Sequence, residues 1–392
     1  MTSIRDEFVQ IRQERELSIP RISLEADIHQ DCLYGLEEDG GIGFRQLLHL
    51  SRYLFGADYD QKMREWCLKL NSTETLKQAF EYAALKRDIG LLQGLIDQNR
   101  NDPGLKNYIN TYTIICDFMT DKINFSEMSS RISKLKVSSD KDLALFKRIY
   151  NCVSLYYRKE FLEMTKEAKA IDVELKKINS SRQRQRAFFK ECFSYRLSEI
   201  LAPAYLHLNE LDLCRKHAKV LISTALNQKH ISDGYYCLAM SYLAENPELS
   251  IKLLNQSKLA AEKTGYDALI KIADSNLFFA KLYFDFKQGR VEVPDLNLLS
   301  KQLLLGGDAD FIVYFDYIQH KTTQEAYKGW RYFLGKMNFL FASLSADFLL
   351  TLGVDEDQVQ ALKSITFEKG EVIYEENFIS SFSFRGAGLN VS

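Results

Sequence analysis

From Tyr59 to about Leu362 the apolar residues return every three or four positions, and almost nothing interrupts them. Leu76, Ala79, Phe80, Ala83 and Ala84, followed by Leu91, Leu92, Leu95 and Ile96, carry the spacing that one buried helix face requires. Strand-like alternation is almost absent there, and 392 residues hold only 5 Pro and 19 Gly. So few breakers predict an all-α chain of many helices on short turns. With 46% hydrophobic and 27% charged residues, an unfolded polar chain is excluded. A net charge of −2 gives no reason to expect a strongly basic polyanion binder.

The helices pair from about residue 181. A long segment through Phe188, Phe189, Phe193, Tyr205 and Leu206 precedes a shorter one from Leu211 to Leu226. Tyr205-Leu206, Tyr242-Leu243, Tyr283 and Tyr317-Ile318 then recur at intervals of 37, 41 and 34 residues. Such periods belong to helix-turn-helix solenoids of the tetratricopeptide type, right-handed stacks of helix pairs. Pro247 fits as the first residue of a second helix, where its missing N–H costs nothing. A non-repetitive helical bundle is the alternative. Three divisions follow: a unit of short helices over 1–56, a solenoid over 57–367, and a non-helical tail over 368–392, either disordered or extended on another surface.

Seven scattered cysteines without a C-x-x-C pair read as reduced thiols of a cytosolic protein. Arg5, Asp6 and Glu7 stand where a signal peptide needs an apolar core, and no run reaches the length of a membrane span. The expected location is the cytoplasm, with no membrane partner. The six histidines show no metal spacing, and no phosphate-loop, dinucleotide, zinc-protease or serine-hydrolase motif stands in a supporting context. No enzyme, metal site or cofactor is expected.

Ile11 to Arg15 opens a first helix in this reading. Leu17-Ser18 then leads into Ile19–Ala26, and His29–Glu37 follows a turn at Asp27-Ile28. The spacing of Arg12, Leu17-Ser18, Ile22, Ala26, Ile28, Leu33, Leu36 and Glu37 resembles the helix-turn-helix unit of the lambda-repressor family, with Phe44–Leu50 as its closing helix. The resemblance implies a structural Arg12–Glu37 pair. It also puts Gln30, Asp31 and Tyr34 at base edges in the major groove, with phosphate contacts from Ser18, Arg21, His29 and Arg45. The electrostatics oppose this, since residues 1–56 carry six Arg and no Lys against ten Asp plus Glu. An acidic unit gains little from counterion release, so DNA binding would need a dimer.

A helix-turn-helix ahead of a helical solenoid is the layout of peptide-responsive regulators of Gram-positive bacteria and their phages. Trp66 to Leu70, Ala79 to Ala83 and Leu95 to Asp97 resemble the arbitrium receptor (AimR) family of temperate Bacillus phages. Weaker likeness runs through Arg196–Ser198, Leu206–Asn209 and Cys214-Arg215. The resemblance implies a homodimeric transcription factor in the bacterial host. It binds operator DNA, is switched by a secreted hexapeptide held in the solenoid groove, and controls the choice between lysis and lysogeny. Groove positions would fall to Tyr205, His207, Asn209, Ser241, Asn276 and Lys281. The family's peptides end in Arg-Gly-Ala, which this tail repeats in Phe382, Ser383, Phe384, Arg385, Gly386 and Ala387, an internal peptide mimic on this reading. The competing function is a helical-repeat adaptor that binds a protein partner and has lost DNA binding.

Overall fold

A computed structural model describes residues 3–178, 184–224, 226–291 and 308–365, and among these every regular element is helical. The chain divides into two compact units. Of the described residues, the first holds those within Met1–Ser154 and Lys166–Arg196, the second Leu155–Thr165 and those from Leu197 to Ile365.

The first unit begins with α1 (Ile4–Glu14), α2 (Ile19–Ala26), α3 (Gln30–Glu38) and α4 (Phe44–Phe55). The first helix does not open at Ile11, as the sequence suggested; it closes there. Ser3 caps α1 in a reciprocal box with Asp6, and Ile4 and Phe8, four apart, bury one face. Ser18 caps α2, which carries a Pro in its first turn and ends at Asp27 in the left-handed region (φ 53°). Ile19, Ile22, Ile28, Leu33, Leu36, Leu47, Leu50 and Leu54 form the core beneath. The Arg12–Glu37 pair is present, Nε to Oε1 at 2.6 Å.

This head is fastened to the helices that follow, α5 (Tyr59–Cys67), α6 (Thr73–Lys86), α7 (Ile89–Asn99), α8 (Lys106–Met119), α9 (Phe125–Ser133), α10 (Lys141–Tyr157), α11 (Phe161–Lys176) and α12 (Arg184–His207). Phe44 packs its ring 5.5 Å from Tyr82 and 5.1 Å from Phe188. Glu7 of α1 accepts from Trp66 Nε1 (3.0 Å), Lys69 Nζ (3.1 Å) and Lys62. Alternate helices share one side of a stack of helix pairs. Phe80, Tyr112, Phe146 and Phe193, from α6, α8, α10 and α12, accordingly make one aromatic column with centroids 5.5–6.4 Å apart. Beside it lies a buried ion pair, Arg196 Nε and Nη2 on the two Glu81 oxygens at 2.7 and 3.1 Å. Tyr112 donates to the same carboxylate at 2.6 Å.

In the second unit α13 (Leu211–Thr224), α14 (Gln228–Met240), α15 (Pro247–Glu262) and α16 (Asp267–Lys287) precede α17 (Ala309–Ile318), α18 (Thr323–Gly335), α19 (Phe339–Thr351) and α20 (Glu356–Lys363). The repeated tyrosines fall near helix C-termini without a fixed register: Tyr205, Tyr283 and Tyr317 lie inside the ends of α12, α16 and α17, and Tyr242 lies past the end of α14. Pro247 opens α15 behind an Asn246 cap. The dense apolar run of α19 is spent on the core, with Phe339, Leu340, Phe341, Leu344 and Leu349 all buried.

Close packing of α13 on α14 depends on Gly234. A Cβ there would stand 3.0 Å from the Ala218 carbonyl and 3.1 Å from Leu221 Cβ. Gly234→Val should cost about 1–3 kcal/mol by overpacking, read as a lowered urea midpoint at unchanged slope.

Candidate functional site

The α3 face holds the residues expected to read bases. Gln30, Asp31 and Tyr34 are all exposed, Tyr34 at 44%, and Gln30 and Tyr34 share one side at i, i+4. His29 caps α3, its Nδ1 accepting from the Asp31 amide at 3.4 Å. Ser18 is likewise engaged as the α2 cap. The two expected phosphate cations are already paired, Arg21 Nε with Glu25 at 3.0 Å and Arg45 with Glu191 at 3.4 Å. Leu24, 84% exposed, adds an apolar point to α2.

The expected groove residues part company. Tyr205 is core, stacked on His217 at 5.7 Å. Asn209 turns the chain between α12 and α13 in the left-handed region (φ 58°), which asparagine tolerates better than most residues. Ser241 is buried beneath Arg215, accepting from its Nε at 3.1 Å, while the guanidinium covers the Tyr242 ring at 4.0 Å. Lys281 is exposed, five residues and so about 140° around α16 from Asn276.

His207 and Asn276 do converge, through residues with no local sequence signature. Asn338, the cap of α19, stands beside His207 and donates to Asp310 Oδ2 at 2.6 Å. Asp308 caps α17, accepting from the Asp310 amide at 2.9 Å and from the Tyr236 hydroxyl at 2.9 Å. Its own amide donates to Asn276 Oδ1 at 3.2 Å. Tyr156 and Phe161 flank the His207 ring, the latter stacked at 5.9 Å. The one sequence signal for the acidic members is Asp308-Ala309-Asp310 ahead of an apolar run, which marks a helix start and not a site.

Burial holds the His207 imidazole below its ordinary pKa. Burial, then the neighbouring Asp310, pushes Asp308 from 3.8 up to about 6. Two carboxylates, one reluctant to ionise, with carboxamides on either side, suit a cationic, donor-rich group. The raised pKa also fixes a sign. The folded chain holds the Asp308 proton more tightly than the unfolded chain, so this stabilisation is complete below pH 3.8 and lost as pH rises through about 6. Asp308→Asn preserves a cap-forming side chain. Its stability relative to the parent should therefore climb between pH 4 and pH 7, in urea titrations at several pH values.

Residues 382–387 lie outside the described residues. Among the described residues no helix is long and apolar enough to cross a membrane. A comparison with curated proteins gives no match. The chain resembles the solved structure described as SeMet-phAimR (TM-score 0.63, 18% identity, covering 90% of this chain and 99% of the other). It also resembles one described as phAimR-Ligand (TM-score 0.59, 18% identity, covering 78% and 96%). At that identity the likeness is one of fold. The profile of the AimR transcriptional regulator-like family matches residues 60–337, most of the sequence, and the chain belongs to that family.

Proposed function

We propose that this regulator binds operator DNA as a homodimer through the α3 face of residues 1–56, and that a short peptide held in the second unit (within 57–367) changes that binding. In a phage such a switch sets the choice between lysis and lysogeny. The observation carrying the peptide reading is the His207–Asn338–Asp310–Asp308–Asn276 cluster. A peptide cation satisfies the two carboxylates, while the carboxamides take its backbone. The solved relative described with a ligand supports the same reading. Peptide acts on DNA binding only by its differential affinity for the two arrangements. The tail residues Phe382–Ala387, within 368–392, serve as a tethered mimic that competes at high effective concentration.

A second reading has its own support. Arg21 and Arg45 are occupied by carboxylates, and Leu24 and Tyr34 are exposed on an acidic head, as suits a protein partner. Selection from random duplexes decides between them, using the full chain, a chain ending at Thr366, and the Gln30→Ala/Tyr34→Ala double variant. A palindromic site enriched by the parent and lost by the double variant is the expected result. Enrichment that appears only after truncation assigns the tail its masking role. No enrichment by any folded form overturns DNA reading and leaves the adaptor.

A further inference from the structure

A cleft of about 670 Å³ opens between α9 and α10 in the first unit. Ile132 and Val137, both buried, form its apolar floor. Its α10 wall uses Ala144, Lys147 and Asn151, three and four residues apart and so on one face; the small Ala144 leaves the space open. Lys136 and Ser138 rise from the connection between the helices.

The charge of this cleft is one-sided. No Asp or Glu lines it. Arg148 on its edge is neutralised by Glu167 (2.6 Å) and Glu174 (2.7 Å). Lys147 spends one hydrogen on a neutral acceptor, the Leu135 carbonyl at 3.0 Å, and retains two. Among the described residues neither Lys136 nor Lys147 has a carboxylate within ion-pair distance. Asp140, the acid nearest Lys136 in sequence, is turned to the start of α10, accepting from the amides of Asp142 and Leu143 at 3.0 Å each, and Asp142, nearer Lys147, is paired with Arg186 at 2.9 Å.

The cleft is also held open in advance. Tyr150 forms part of its wall, with its ring 4.6 Å from Phe146 and its hydroxyl accepting from Arg196 Nη1 at 3.3 Å. Arg196 is itself fixed on Glu81. A wall that cannot collapse spares a ligand the cost of ordering it.

We propose that this cleft binds the phosphate group of a small phosphorylated molecule. Lys136 and Lys147 supply the charge, and Ser138 and Asn151 supply donors to the remaining oxygens. Two ammonium groups and two neutral donors match a compact dianion with several acceptor oxygens, and the cavity exceeds what a bare ion fills.

The test is isothermal titration of the full chain with inorganic phosphate, with adenosine 5′-monophosphate, and with adenosine, at constant ionic strength set by chloride. Saturable one-to-one binding of phosphate or the monophosphate, with none for adenosine, is expected. Tighter binding of the monophosphate than of phosphate identifies an ester as the ligand; equal binding identifies the free ion. Lys136→Glu/Lys147→Gln should weaken it at least about tenfold, the loss of charge-assisted bonds. The Gln retains a donor for the Leu135 carbonyl, which protects folding, and the single Lys136→Glu variant changes an exposed residue only. Lys134→Glu, outside the cleft, should leave binding unchanged. The proposal is overturned by absence of saturable phosphate-dependent binding up to about 10 mM. It is equally overturned if Lys134→Glu weakens binding as much as the cleft variants do, or if the folded cleft variants bind like the parent.

Discussion

Glu81→Ala should destabilise the first unit by about 3–5 kcal/mol, the usual cost of breaking a buried ion pair from one side. Glu81 is fully buried and takes two bonds from Arg196 and one from Tyr112. Its removal takes the two charge-assisted bonds from a buried guanidinium and the acceptor from a buried hydroxyl. The four side chains involved, Glu81, Tyr112, Tyr150 and Arg196, come from four alternate helices. The loss should therefore appear as faster amide exchange throughout α6, α8 and α10, with urea unfolding of the first unit moved to lower concentration. A double variant, Glu81→Leu with Arg196→Met, should recover most of the loss, because a well-packed apolar pair avoids the desolvation that the ionic pair must overcome. If the double variant were as unstable as Glu81→Ala, the lost acceptor of the Tyr112 hydroxyl, and not the unbalanced charge, would be the cause.

Phe44→Ala carries the next largest expectation, about 3–5 kcal/mol for emptying the site of a buried phenylalanine. The ring is 1% exposed and lies against Tyr82 and Phe188, so the vacancy falls between the head and the helices it rests on. Exchange should rise in α2, α3 and α4 while α18 and α19 in the other unit keep their protection. Uniform loss of protection in both units would contradict the assignment of this contact to the first unit alone.

Most of the helical architecture was legible because it rests on spacing. Apolar residues three and four apart, Pro247 at a helix start and the tyrosines at helix ends are local features, and the helices obey them. Arg12 and Glu37 were legible by resemblance. The start of α1 was missed because its determinants, Ser3 with Asp6 and Ile4 with Phe8, precede the stretch that matched the helix-turn-helix pattern. The buried polar clusters were illegible for a different reason. Glu81 meets Arg196 across 115 residues, and Tyr236 meets Asp308 across 72. No window of sequence contains both partners, and each alone looks like an ordinary helix or cap residue. Asn209 and Ser241 show the converse: polar residues at helix ends, one setting a turn and the other receiving an arginine.

The clamping of α1 and α4 onto α5, α6 and α12 has a consequence for the proposed operator. A reading head on a loose tether tolerates variable spacing between the two halves of its target, since slack in the chain absorbs the difference. A head fixed by Phe44, and by Glu7 on Trp66 and Lys69, has no such slack. In the proposed dimer each head would move only together with the first-unit helices it rests on, so no slack in a linker would set the spacing of the two heads. Inserting half a helical turn, about 5 base pairs, would put the second half on the wrong side of the DNA. On the proposed function, anything that shifted the two heads relative to each other would act on that spacing, and binding would be lost with no change at Gln30 or Tyr34.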